Sequence, residues 1–236
     1  MRVEVFADRA ALSQAAAAFI KDAADQAVRQ RGVFSLALAG GSTPLETYRL
    51  IGLDPTFPWG ETQLFWGDER CVPAEHPDSN RGAALKALGP PEALPSDNIH
   101  PIRGRLSPQE AAQDYEWRLK GFFAEQGRPA FDLVILGLGP DGHVASLFPG
   151  GPGLSEGSAW VIPVAAPSGI EPQVPRVSLS LWAINQARQV LLMISGAAKA
   201  PVVERLRGGE APDLPAALVR PQEELVLYLD RDAAGD

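Results

Sequence analysis

Residues 131–150 read FDLVILGLGPDGHVASLFPG, and the fold turns on how this stretch is read. Positions 131–136 form a short apolar run with no charge after Asp132. Its length and branched side chains fit a strand buried on both faces. Gly137, Gly139, Pro140 and Gly142 then break regular structure, and 144–148 has the pattern of a restarting helix. Asp141 and His143 are therefore expected on a tight turn at the carboxyl end of a strand, where open α/β sheets bind ligands. The dipole of a following helix would oppose imidazolium formation, and a neutral imidazole can accept a proton. Asp141 would orient the ring or pull the other way. The plainer alternative is a helix cap whose glycines only make the turn. A bare run of glycines would not displace it, but here Asp and His are added within a turn that follows a strand.

Outward from this stretch the pattern alternates. Strands are expected over 2–6, 33–39, 64–66, 160–164, 177–181, 190–194 and 225–229. Asp8 caps a long alanine-rich helix through about Arg31, closed by Gly32. Pro44 suits the first turn of a helix through about Ile51. Further helices are expected over 78–88, from Ser107-Pro108-Gln109-Glu110 onward, and over 196–206. Residues 89–104 and 165–175 read as loops. Strands alternating with helices predict a mostly parallel sheet with helices on both faces. No linker divides the chain, so 1–236 is expected to be one domain.

The 236 residues carry 21 Lys+Arg against 29 Asp+Glu, a net charge of -8. That argues against nonspecific nucleic-acid binding, which needs a basic face. An anionic substrate would have to be met by a few local cations. Cys71 is the single cysteine, so no intrachain disulfide forms, which fits a reducing compartment. No apolar run approaches the roughly 18 residues of a membrane span, and the start alternates like a strand and lacks a signal-peptide pattern. A cytoplasmic protein is expected.

Three strand ends carry polar or glycine-rich residues, at 40–43, 68–70 and 141–143, and a parallel sheet brings them to one edge. Gly40, Gly41, Ser42 and Thr43 offer backbone N–H groups and hydroxyls at a helix start, an anion site or a plain cap. The ending of a nucleotide P-loop is absent. Arg176, at the mouth of a strand, and Lys199, in the first turn of a predicted helix, strengthen the anion reading. A lysine in that turn is unfavourable by roughly 0.3–1 kcal/mol. Arg70 is the third cation, with a surface ion pair to Glu69 or Glu75 as the bland alternative. His76 and His100 are expected at the surface, the five tryptophans in packing, and Cys71 as an inert side chain, although neighbouring Arg70 favours a lowered pKa. No Cys/His spacing indicates structural zinc, and there is no nucleophile elbow.

Leu38-Ala39-Gly40-Gly41-Ser42-Thr43-Pro44, Trp66-Gly67-Asp68-Glu69-Arg70, Asp78-Ser79-Asn80 and the run from Gly137 to Pro149 together resemble the 6-phosphogluconolactonase family, in family order and over nearly the whole chain. Pro175-Arg176-Val177-Ser178 and Gly196-Ala197-Ala198-Lys199-Ala200 resemble further family segments. The resemblance implies a modified Rossmann α/β domain similar to the glucosamine-6-phosphate deaminase and ribose-5-phosphate isomerase folds. It implies hydrolysis of 6-phosphoglucono-δ-lactone without cofactor or metal, by a monomer or small homo-oligomer whose partner is a small-molecule sugar phosphate. His143 would be the general base and Asp141 its support, with Ser42, Arg70, Arg176 and Lys199 on phosphate or sugar oxygens. A deaminase or isomerase is the alternative, with Asp68 as base. The sequence departs from the deaminase pattern at Arg70, where those enzymes resemble a tyrosine, and at Ser146-Leu147-Phe148-Pro149, which replaces their Phe-Asn-Glu-Pro. A non-catalytic sugar-phosphate sensor is the third reading; such proteins usually carry a helix-turn-helix, and no basic segment is present here.

Overall fold

A computed structural model describes residues 1–89, 94–127, 130–155, 157, 159–209 and 211–235. Six parallel strands form the main sheet: β1 (Arg2–Phe6), β2 (Phe34–Leu38), β3 (Thr62–Trp66), β5 (Leu133–Gly137), β8 (Gln189–Ile194) and β9 (Glu224–Asp230). Their order is β1-β9-β8-β5-β2-β3. The inner strands are apolar at successive positions because both faces are covered: Leu36, Ala37, Leu133, Val134, Ile135, Val190, Leu191 and Val226 are all fully buried. The helices are α1 (Arg9–Arg31), α2 (Leu45–Gly52), α3 (Asn80–Leu88), α4 (Pro108–Glu125), α5 (Leu181–Asn185), α6 (Ala200–Gly208) and α7 (Arg231–Ala234). Asp8 caps α1 by accepting from the Ala11 N–H, and Gly32, at φ 74°, ends it in the left-handed conformation. Ser107 and Glu110 form a reciprocal capping box at α4.

A second, three-stranded antiparallel sheet was not expected. It pairs β4 (Asp68–Arg70) with β7 (Arg176–Leu179), and β7 with β6 (Val161–Val164). Residues 68–70, read as the polar end of the strand over 64–66, are therefore a strand of their own. The chain leaves β3 at Gly67, whose carbonyl accepts from Leu179, and turns directly into the second sheet.

Four other expectations are corrected. No helix restarts at 144–148: Val144 and Leu147 close a tight turn by an isolated bridge, and Ala145 sits at φ 49°. The helix read over 78–88 begins at Asn80, because Ser79 accepts from Gly82 as its cap. His100 is half-buried, stacked 4.4 Å from Phe65 and bonded to Gln63, so it is not a surface residue. Trp117 is 76% exposed and does not pack. Of the loop read over 89–104, residues 90–93 lie outside the described residues, and Ser96–Asn98 makes one 3₁₀ turn.

Candidate functional site

The expected convergence holds at the level of the backbone. β2, β3 and β5 are neighbours in the main sheet, and all three run the same way. Their carboxyl ends therefore open on one edge. There a cleft of about 410 Å³ is lined by Gly40, Gly41, Ser42 and Thr43, by Asp68 and Arg70, and by His143, Arg176 and Lys199. Asp141 stands behind His143.

The Asp141–His143 turn is held by its own backbone. The Gly139 N–H donates to the His143 carbonyl at 2.8 Å, and the Gly142 N–H donates to the Gly139 carbonyl at 3.0 Å. Gly142 is at φ 84°, a conformation side chains resist. His143 Nδ1 lies 2.5 Å from Asp141 Oδ1, which also accepts the His143 backbone N–H at 3.2 Å. The carboxylate acceptor assigns the proton to Nδ1 and leaves the lone pair on Nε2. Gly139 is needed for this pairing, since a Cβ there would lie 2.0 Å from His143 Nδ1 and 2.6 Å from Asp141 Oδ1. The Phe148 ring packs 4.7 Å from the imidazole. Because no helix follows, a helix dipole plays no part at this turn.

Asp68 is buried and fully engaged. Its Oδ2 accepts from Ser146 Oγ at 2.6 Å and its Oδ1 from Asn80 Nδ2 at 3.1 Å. Asn80 packs so closely on Gly40 that a Cβ at that glycine would meet Asn80 Oδ1 at 2.0 Å. Asp68, Asn80 and Ser146 thus lock the three strand ends together. Sequence reasoning did not single out Asn80 or Ser146 as site residues. Both stand inside the quoted motifs, but nothing local marks which way their side chains turn.

Arg70 and Arg176 are direct partners across the β4–β7 pair, an arrangement that costs stability for like charges. Arg176 is 3% exposed. Burial pulls its guanidinium pKa down, Asp68 opposes that, and Arg70 adds to it. Each of the two has a buried Nε without a protein partner. The bland alternative, an ion pair of Arg70 with Glu69 or Glu75, is not formed among the described residues. Arg70 Nη1 donates to the Asp78 carbonyl at 2.7 Å, and Glu75 pairs with Arg105. The Glu69 carboxylate turns inward to the start of α3, accepting from the Asn80 and Arg81 N–H groups at 2.7 and 2.8 Å. Lys199 ends a 3₁₀ turn, Ala197–Lys199, and stands as the cap residue of α6, one position before the helical turn expected to hold it. Burial lowers its pKa and Asp141 opposes that shift. Cys71 is pushed up to about 11 by burial and by Glu69, against the expected lowering.

At the glycine turn, Gly41 is at φ 80°. Among the described residues, the N–H groups of Gly41, Ser42 and Thr43 donate to no protein acceptor. Successive unpaired N–H groups before a helix make an anion-binding concavity. Among the described residues no cluster of His, Cys, Asp and Glu has metal-holding geometry.

A family model described as glucosamine-6-phosphate isomerases/6-phosphogluconolactonase matches residues 7–228. A 6-phosphogluconolactonase of a Synechocystis species is 38% identical over 237 residues, covering 98% of this chain and 96% of that one. The structure of 6-phosphogluconolactonase from Trypanosoma brucei matches at a TM-score of 0.88 with 31% identity, over 99% and 97% of the two chains. A monomeric glucosamine-6-phosphate deaminase matches at a TM-score of 0.84 with 22% identity, over 100% of this chain and 99% of that one, and shares the fold.

Proposed function

We propose, from the premise that this chain belongs to the glucosamine-6-phosphate isomerase/6-phosphogluconolactonase family, that it hydrolyses 6-phospho-D-glucono-1,5-lactone to 6-phosphogluconate. The observation that carries the mechanism is the Asp141–His143 pair, 2.5 Å apart at the edge of a cationic cleft. His143 Nε2 takes a proton from water as the water oxygen bonds to the lactone carbonyl carbon. Asp141 holds the Nδ1 proton and stabilises the imidazolium that forms. Backbone N–H groups of the turn that carries His143 meet the developing oxyanion. Collapse breaks the bond from the carbonyl carbon to the ring oxygen, which recovers the proton from the imidazolium. Ser42, Arg70, Arg176 and Lys199 hold the phosphate and sugar oxygens. A lactone is already a reactive acyl group, so the mechanism needs no cofactor.

We assign residues 1–236 to one catalytic domain, since the cleft draws on strand ends from Gly40 to Lys199. We place the enzyme in the cytoplasm on the strength of its single cysteine, and we take from the family resemblance a monomer or small homo-oligomer. Separately, no helix among the described residues is long and apolar enough to cross a membrane. Against the deaminase reading, both oxygens of Asp68 are occupied by neutral donors, which leaves it poorly placed as a base.

The test separates chemistry from capture. His143→Asn should lower kcat by about 10²–10⁴-fold and still bind 6-phosphogluconate. Arg176→Ala or Lys199→Ala should weaken that binding about tenfold or more, the worth of a charge-assisted hydrogen bond. Purified protein that does not exceed the spontaneous rate of lactone loss, or that releases ammonia from glucosamine 6-phosphate, overturns the reading.

A further inference from the structure

Arg9 has no part in any motif of the site, yet it lines the same cleft. It is the first residue of α1, just after the cap Asp8, and that first turn holds no acidic side chain. A cation there opposes the helix dipole, the same departure from local preference seen at Lys199. Packing of α1 on α2 brings it to the glycine turn: Thr47 Oγ1 donates to the Ser13 carbonyl at 3.3 Å, one helical turn beyond Arg9. Arg9 Nη2 donates to the Ser42 carbonyl. Its remaining N–H groups donate to no protein acceptor among the described residues. The Asp230 carboxylate accepts from Ser195 Oγ and the Gly196 N–H; burial raises its pKa, and these hydrogen bonds with the charge of Arg9 lower it overall. Ser195 and Lys199 line the cleft beside it.

We infer that Arg9 is a specificity-determining residue for the phosphate group of the substrate. By holding the Ser42 carbonyl it turns the unpaired N–H groups of Gly41, Ser42 and Thr43 toward the cleft. Its free donors complete the same anion site from the α1 side. A planar guanidinium offers several fixed donors, so one can stay on the carbonyl while others take phosphate oxygens. The inference rests on the lactonase reading only for the identity of the molecule that carries the phosphate.

Calorimetric titration of the full chain with 6-phosphogluconate, inorganic phosphate and gluconate tests this, alongside kinetics on the phosphorylated and unphosphorylated lactones. Arg9→Gln should lose about tenfold in affinity for 6-phosphogluconate and for inorganic phosphate. Its activity on the unphosphorylated lactone should stay within about twofold, because that substrate offers no phosphate for Arg9 to hold. Arg9→Lys should fall between, since it keeps the charge and loses the fork; it carries the test if Arg9→Gln melts well below the wild type. Wild-type phosphate affinity in both variants overturns the inference, as does an equal loss on the two lactones, which would make Arg9 a brace for the catalytic turn. Should the wild type bind phosphate but not act on the lactone, the functional reading fails while the phosphate titrations still decide the role of Arg9.

Discussion

At the scale of single residues, the site depends on what is missing from Gly139. The imidazole and the carboxylate occupy the space of its absent side chain, with His143 Nδ1 2.0 Å from where a Cβ would stand. Gly139→Ala collides with two side chains at the edge of a cleft, and both can swing away. The expected outcome is a kcat lower by about 10²-fold or more, from lost alignment of the base, with 6-phosphogluconate affinity and melting temperature close to wild type. Steady-state kinetics beside a thermal melt check this. A variant that keeps its turnover would show that the His143–Asp141 contact is dispensable. The contrasting position is Gly40, where a Cβ meets Asn80. That residue is buried against Asp68, so the same change there disturbs the buried network as well as the site.

Among the elements, two buried tyrosines hold the strand ends that carry the site. The Tyr48 hydroxyl accepts from the Ala39 N–H at 2.8 Å and donates to the Ala39 carbonyl at 3.0 Å. Tyr115 does the same for Trp66, at 2.9 Å in both directions. Each hydroxyl satisfies backbone groups at the point where β2 or β3 leaves the ladder, and burial raises the pKa of both phenols. Tyr48→Phe or Tyr115→Phe keeps the ring and strands a buried N–H and C=O. Each should cost about 1–3 kcal/mol of stability, read from urea unfolding. The two losses should not simply add, because the clamped ends are paired to each other, Leu38 standing opposite Trp66. A cost near zero would mean that water replaces the hydroxyl.

For the molecule as a whole, the acid limb of stability is predicted to depend on His100. Burial and the charge of Arg118 pull its pKa down to about 4, from an ordinary value near 6.5. The folded value lies below the unfolded one, so the unfolded chain takes up the proton first. This histidine therefore costs nothing above about pH 6.5, and its contribution to stability falls as pH drops from there to about 4. His100→Phe should flatten that interval in a plot of unfolding free energy against pH, with Phe65 and Phe122 still offering ring contacts. An unchanged slope would assign acid sensitivity to the buried carboxylates alone.

What the sequence determined by itself was whatever depends on local pattern and chain order. Continuous apolar runs marked the strands buried on both faces, and Asp8, Gly32 and the Ser107–Glu110 box marked helix ends. Parallel alternation then put the ends of β2, β3 and β5 on one edge, which was enough to list Gly40, Asp68 and His143 as companions in a cleft, while Arg176 and Lys199 were named as the cations an anionic substrate would need. Tertiary structure decided what depends on partners far away in the chain. Residues 144–148 have a helical pattern, but the isolated bridge from Val144 to Leu147 and the bond from Ser146 to Asp68 hold them in a turn. β4 is three residues long, too short to show a period, and exists because β7 supplies its pairing more than a hundred positions later. Arg9 reached the site only through the packing of α1 on α2, for a side chain's neighbours are set by how elements meet in space.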